Sequence, residues 1–295
     1  MQTPEALKRK MQSAQDLLGV VKTMKALAAV SIRQYQRSVE SLTDYNRTVE
    51  MGLQIVLKDR WGAPEPATRR TRRLGAIVFG TDQGLCGQFN NIVTQHALAE
   101  LDKTEFKKED RFFIVVGMKA ADILGDMGQN VFETLSQPGS TAGITAMVQD
   151  ITLLLEDWRF KRSVENMVLF YNEYLSGATY RPRMLKLLPV DRVWLADLQK
   201  RKWDSRTLPT FTMDWERLFR SMIREYLFVS VYRAFANSLA SENASRLAAM
   251  QNAEKNIEER LEELNVQFHR QRQMTITEEL LDIVAGFEVL KASKA

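Results

Sequence analysis

Steps of three and four residues organise both ends of this chain. From Leu7 the apolar positions run through Met11, Ala14, Leu18, Val21, Ala28, Ile32, Tyr35, Val39, Leu42, Val49, Leu53 and Val56, and within that series only Lys25 and Asn46 are polar. This is a heptad seam sustained over about seven repeats, which predicts a long helix in a coiled coil. Thr3-Pro4-Glu5 supplies the start: an N-cap hydroxyl, proline at the first helical position and an acid in the first turn. Gly19 is the one weak point before Gly52.

The other end repeats the pattern. No glycine or proline falls between Thr210 and Ala285, and apolar residues recur through Leu218, Met222, Val229, Tyr232, Ala236 and Leu239, then Leu247, Met250, Ile257, Leu261, Leu264 and Phe268. As one helix the stretch is roughly 110 Å long at about 1.5 Å per residue. A compact globule of the whole chain is only about 50 Å across, so the helix is expected to project. The simplest burial for both seams is against each other, as an intramolecular antiparallel pair; a homodimeric coiled coil is the competing solution. The last apolar positions, Ile276, Leu280, Leu281, Ile283, Val284, Phe287 and Leu290, are then left without a partner from this chain, and another protein should enclose them.

Between the helices the grammar changes. Leu74–Phe79, Phe112–Val116 and Met167–Tyr171 read as short buried strands, alternating with helices near Asn91–Leu101, Lys119–Met127 and Thr141–Phe160. Strands alternating with helices predict a largely parallel sheet covered on both faces. Tyr180–Pro209, with prolines at 182, 189 and 209, reads as the return to the C-terminal helix. The expected fold is α/β, a long antiparallel coiled coil carrying a central α/β domain. Its divisions are a helix over 1–59, a linker over 60–73, the α/β domain over 74–209 and the second helix over 210–295.

Composition narrows the function. At 295 residues and 45% hydrophobic content the chain can bury a core. No apolar run approaches the roughly 20 residues that span a bilayer, and the start MQTPEALKRK lacks a signal-peptide hydrophobic region. One cysteine allows no internal disulfide, and His96 and His269 leave little material for a metal site. The net charge of +4 is mild. Its clusters at Lys8-Arg9-Lys10, Arg69 to Arg73 and Lys200-Arg201-Lys202 carry no nucleic-acid-binding motif, and read as solvated surface or as attraction to an acidic protein.

The stretch TDQGLCGQFNN after the first strand invites a catalytic reading and does not sustain one. A P-loop needs a lysine directly after its second glycine, whereas Leu85 follows Gly84; a dinucleotide fingerprint needs G-x-G, which is missing. Nothing in the spacing puts a base beside Cys86. The structural expectation is that Gly84 and Gly87 turn the chain from strand to helix, with Cys86 buried.

Four strings carry a resemblance: VVKTMKALAA at Val20–Ala29, TDQGLCGQFN at Thr81–Asn90, SLASENASRLAAMQNAEKN at Ser238–Asn256 and RQMTITEELLDIVAG at Arg272–Gly286. In this order along the chain they resemble the gamma subunit of F-type ATP synthases. The resemblance implies a non-catalytic rotor shaft without cofactor or metal. Its partners would be an alpha3-beta3 hexamer, an epsilon-type subunit and a c-ring, with no nucleic acid. Its place would be peripheral, at the cytoplasmic face of a bacterial inner membrane. Gln83, and Val30-Ser31 after Ala28-Ala29, depart from the family's common form and look similar to an alternate, sodium-linked bacterial branch.

The resemblance also implies site residues. Met24, Lys25 and Arg246 match positions that face the acidic lever loop of the beta subunit, although a lysine snorkelling out of the seam also accounts for Lys25. Arg272, Gln273, Thr277 and Glu279 match the contacts to the hexamer's catch loops, and Leu280, Ile283, Val284 and Phe287 match an apolar bearing. The residues themselves equally allow a static coiled-coil scaffold with an α/β docking head.

Overall fold

In a computed structural model of the chain, residues 3–59, 73–203 and 205–292 are described, with side chains as far as Ala285. The expected linker over 60–73 lies outside the described residues except for Arg73. The elements are α1 (Pro4–Asp59), β1 (Leu74–Phe79), α2 (Phe89–Asp102), β2 (Arg111–Val116), α3 (Met118–Asp126), β3 (Val131–Leu135), α4 (Ala142–Arg162), β4 (Asn166–Ser176), β5 (Thr179–Leu188), α5 (Arg192–Lys200) and α6 (Trp215–Ala292).

Caps set the starts of both long helices. Thr3 Oγ1 accepts a hydrogen bond from the Ala6 N–H at 3.3 Å, and α1 begins at Pro4 as its sequence predicts. α6 begins at Trp215 because Asp214 Oδ1 accepts from the Arg217 N–H at 3.0 Å. Every seam position of α1 is buried or half-buried, Lys25 and Asn46 included.

Ala28–Leu247 forms one compact unit, and Met1–Leu27 with Ala248–Ala295 forms another. In the larger unit the Tyr45 hydroxyl donates to Glu225 Oε2 at 2.7 Å and Trp215 Nε1 donates to the Val56 carbonyl at 2.8 Å, so α1 and α6 pair antiparallel. A Cβ on Gly52 would stand 2.9 Å from Met222 Sδ, so the glycine is where the two helices approach closely. In the smaller unit Lys22 pairs with Glu258 at 3.3 Å and Lys25 with Glu254, again antiparallel. The seams are thus buried within one chain, without the second copy that a homodimeric coil requires.

The sheet has the order β3-β2-β1-β4-β5, with parallel pairing except between β4 and β5. Its central strands are buried on both faces. Leu74, Ala76 and Val78 of β1 meet α2 and α3 through Val93, Ala97, Ala120 and Leu124. Ile77 and Phe79 meet α4 and α6 through Ile144, Ile151, Val231, Phe235 and Leu239. Such two-sided burial is why these strands read as continuous apolar runs.

Three elements depart from the sequence expectation. β3 is a short edge strand whose residues alternate half-buried and exposed, so it carries no apolar run to find. β5 and α5 occupy the stretch read as a simple return. Pro182 pairs opposite Asn172 on an edge strand, the one sheet position where its missing N–H is tolerated. α5 is capped by Asp191, whose Oδ1 accepts from the Val193 N–H at 2.8 Å, and it buries Leu195 and Leu198 against Val49, Leu53 and Leu57 of α1.

Candidate functional site

An open α/β sheet binds its ligands outside the carboxyl ends of the strands, where the strand order reverses. Here β2 lies on one side of β1 and β4 on the other, so the switch falls between β1 and β4. The chain's own helix fills that crevice. Ser238, Ser241, Glu242 and Ser245 sit three and four residues apart on one face of α6. Ser238 Oγ donates to the Phe79 carbonyl at 3.4 Å and Ser245 Oγ to the Cys86 carbonyl at 2.6 Å, while the single Ser241 hydroxyl proton is shared between the Asn172 carbonyl at 2.9 Å and the Asn237 carbonyl of its own helix at 2.8 Å. Buried carbonyls need donors, and side chains of the helix supply them.

Glu242 completes the face. Gln137, in the segment after β3, donates Nε2 to the Gly80 carbonyl and to Glu242 Oε2, each at 2.8 Å, while Arg246 Nη2 donates to Glu242 Oε1 at 2.7 Å. Burial pushes the Glu242 carboxyl above its ordinary range, with Arg246 and Gln137 pulling in the opposite direction. Burial also raises the Tyr35 phenol, and the nearby Glu242 adds to that shift.

The TDQGLCGQFN turn is held by the same kind of bonding. Asn90 Oδ1 accepts from the Thr81 N–H at 3.0 Å and Asn90 Nδ2 donates to Thr81 Oγ1 at 2.8 Å. Asp82 accepts from the Met118 N–H at 3.0 Å and from the Gln137 N–H at 2.7 Å. Of the two glycines expected to shape the turn, only Gly87 takes a positive φ, 57°; the other left-handed residue is Leu85, φ 61°, rather than Gly84. Leu85 is exposed, and its Cβ still carries the local steric cost of the left-handed conformation that a glycine would avoid. Cys86 is buried, and its sulfur lies 3.8 Å from Thr81 Oγ1, the Gln83 carbonyl and Asn90 Nδ2. Burial pushes its thiol upward, the reverse of what a nucleophile needs. His96 stands edge-on to Phe170, with ring centroids 6.2 Å apart.

The residues singled out by resemblance fall into distinct settings. Met24 is half-buried and Lys25 is paired with Glu254, both in the smaller unit. Arg246 belongs to the larger unit, its side chain only 11% exposed and committed to Glu242, with buried Nε unpartnered among the described residues. Arg272, Gln273, Thr277 and Glu279 are exposed on α6, and Thr277 Oγ1 donates back to the Gln273 carbonyl at 2.9 Å. Leu280, Ile283 and Val284 are 57%, 59% and 53% exposed, and the Phe287 side chain lies outside the described residues. Sequence reasoning missed Gln137, Asn172 and the serines of α6. For the serines the signal was present in SLASENAS, whose hydroxyls recur at helical spacing.

A family model described as ATP synthase matches residues 3–290. The chain belongs to the gamma-subunit family of ATP synthase. Its fold is similar to that of several solved structures. A chain of the rotor of the Euglena gracilis mitochondrial ATP synthase in rotational state 1 shares 16% identity at a TM-score of 0.64, covering 92% of this chain and 98% of that one. In the OSCP/F1/c-ring assembly of the same organism's enzyme, rotational state 3, the match has 17% identity and a TM-score of 0.70, over 99% and 96%. In the central stalk and c-ring of the Tetrahymena thermophila mitochondrial ATP synthase it has 20% identity and a TM-score of 0.56, over 79% and 99%. No helix among the described residues is long and apolar enough to cross a membrane.

Proposed function

We propose that this chain is the central rotor shaft of an F-type ATP synthase, a non-catalytic subunit that couples ion-driven rotation of a c-ring to conformational cycling of the catalytic beta subunits. Family membership supports this reading. The observation that carries it is the far part of α6, where Ile276, Leu280, Leu281, Ile283 and Val284 are 47% to 62% exposed on one continuous helix. Apolar surface of that kind calls for an enclosing partner. An alpha3-beta3 hexamer is such a partner, and apolar contact is non-directional, so a bearing formed by Leu280, Ile283, Val284 and Phe287 tolerates rotation.

Around that bearing, Arg272, Gln273, Thr277 and Glu279 offer polar contacts that depend on angle, suited to the hexamer's catch loops. Met24, Lys25 and the exposed edge of Arg246 meet the acidic lever loop. Each angle of an asymmetric shaft makes different contacts with three otherwise equivalent beta subunits, and so biases their open and closed populations differently. Rotation exchanges those biases. The α/β domain joins an epsilon-type subunit and the c-ring, which holds the chain at the cytoplasmic face of a bacterial inner membrane.

The test is to tag the chain, purify it gently with its native partners, and measure subunit stoichiometry and ATP hydrolysis. One copy with three alpha and three beta subunits, and hydrolysis that responds to truncation of α6, is the expected result. A self-associated dimer, or a partner without three-fold stoichiometry, overturns the rotor and favours the scaffold.

A further inference from the structure

A shaft transmits load only if its helix cannot slip in the body that holds it. α6 is held on the sheet in two ways. Val231, Phe235 and Leu239 pack against the apolar face of β1 and β2 with α4. Beyond them, Ser238, Ser241, Glu242 and Ser245 bond to groups at the ends of β1 and in β4, to Gln137 and to the turn at Cys86. The two kinds of contact resist displacement differently. Apolar burial depends on area and gives little for direction, whereas a hydrogen bond weakens steeply once its distance or angle is lost.

Position along the chain makes this difference matter. The compact unit that contains the α/β domain ends at Leu247, directly after Ser245 and Arg246. α6 runs on from Ser245 to Ala292, so load from its far part meets these bonds before the apolar contacts of Val231, Phe235 and Leu239. The acceptors are the carbonyls of Phe79, Asn172 and Cys86, and Gln137 ties Glu242 to the carbonyl of Gly80. Main-chain acceptors have no rotamers to yield. Ser245 is also braced by the Tyr180 hydroxyl, 3.2 Å away on β5. The bonds thus fan from one helix face to β1, β4, the turn before α2 and the segment after β3.

We propose that this hydrogen-bonded joint, Gln137–Glu242 together with Ser241 and Ser245, is the torque-bearing connection between the C-terminal helix and the α/β domain. These are positioning residues. They fill the crevice where other α/β folds seat a ligand, and use it as a socket for the shaft. The proposal rests on the rotor reading above.

The experiment uses the assembled complex reconstituted in sealed vesicles, with ATP hydrolysis and ATP-driven ion uptake measured on the same preparation. Wild type must first show ion uptake that depends on this chain; if it does not, the rotor reading itself fails, independently of any joint variant. The variants are Ser241→Ala with Ser245→Ala, then Gln137→Leu, and as control Leu239→Ala, which removes buried packing from the same helix and leaves the bonds in place. The joint variants are expected to assemble with wild-type stoichiometry and to hydrolyse ATP at an unchanged kcat and KM, while ions moved per ATP fall at least about two-fold, more so against an opposing ion gradient. Leu239→Ala is expected to lower thermal stability and keep the wild-type ratio. Equal ratios in all the complexes, or hydrolysis and uptake falling in parallel in the joint variants, overturn the proposal. Because the serine pair deletes only two hydroxyl oxygens, a failure of Gln137→Leu to assemble still leaves the test decided.

Discussion

Gln137 and Glu242 meet across 2.8 Å, an amide after the third strand donating to a carboxylate on the C-terminal helix. The same amide nitrogen donates to the Gly80 carbonyl, so one side chain joins the end of β1 to α6. Gln137→Leu removes both bonds and leaves the Glu242 carboxylate and a strand-end carbonyl short of a donor. Each stranded buried group costs about 1–3 kcal/mol, so the variant should lose stability well beyond the range of surface substitutions. Denaturant unfolding of the isolated chain measures it.

The protonation of Glu242 gives a pH signature. Its carboxyl titrates above 4.5 in the folded chain because it is buried, although Arg246 and Gln137 oppose the shift. Over the window from 4.5 up to the folded value, the native chain therefore binds more protons than the unfolded chain. Stability from this group is full below the window and falls as pH rises through it. Glu242→Gln cannot titrate, so the stability of wild type relative to this variant should fall as pH rises across that window and stay level outside it. A pH-independent difference would count against the shift.

Leu261 lies inside α6, half-buried on the seam. Leu261→Pro removes a helical hydrogen bond and forces a kink at a cost of about 3 kcal/mol or more. Reduced helical circular dichroism and loss of coupled ATP synthesis are expected in the assembled enzyme. Normal coupling would show that a straight, stiff helix is not required.

Lys25 is paired with Glu254, and both side chains are partly exposed. Such a pair contributes only about 0.2–1 kcal/mol, so Lys25→Gln should barely alter the unfolding midpoint. A clear change in ATP hydrolysis by the complex, with stability preserved, would mark Lys25 as a partner contact. Hydrolysis unchanged would leave it as a lysine whose stem covers the seam.

Cys86 should be inert. Its thiol is buried and pushed up by that burial, so native chain should react with a disulfide reagent no faster than it opens, and Cys86→Ser should keep function in the complex. Rapid labelling of folded chain, or loss of coupling in the serine variant, would restore a chemical role.

The sequence by itself determined the long helices and the central strands, because their burial follows a period. Thirteen apolar seam positions from Leu7 to Val56 recur every three or four residues, and each is buried or half-buried in α1. β1 was legible over Leu74–Phe79 because both of its faces are covered, which demands an unbroken apolar run. It also showed that the glycine turn matches no nucleotide motif. Edge strands β3 and β5 bury too little on one side to impose a pattern, and Pro182 hid β5 until its edge position was known. Only the tertiary structure decided what the polar strings are for. Thr81 to Asn90 and Ser238 to Arg246 are far apart in the chain and meet because α6 crosses the ends of β1 and β4. The spacing of Ser238, Ser241 and Ser245 shows in the sequence that their hydroxyls share a helix face, but which distant carbonyls they satisfy is set only by the fold.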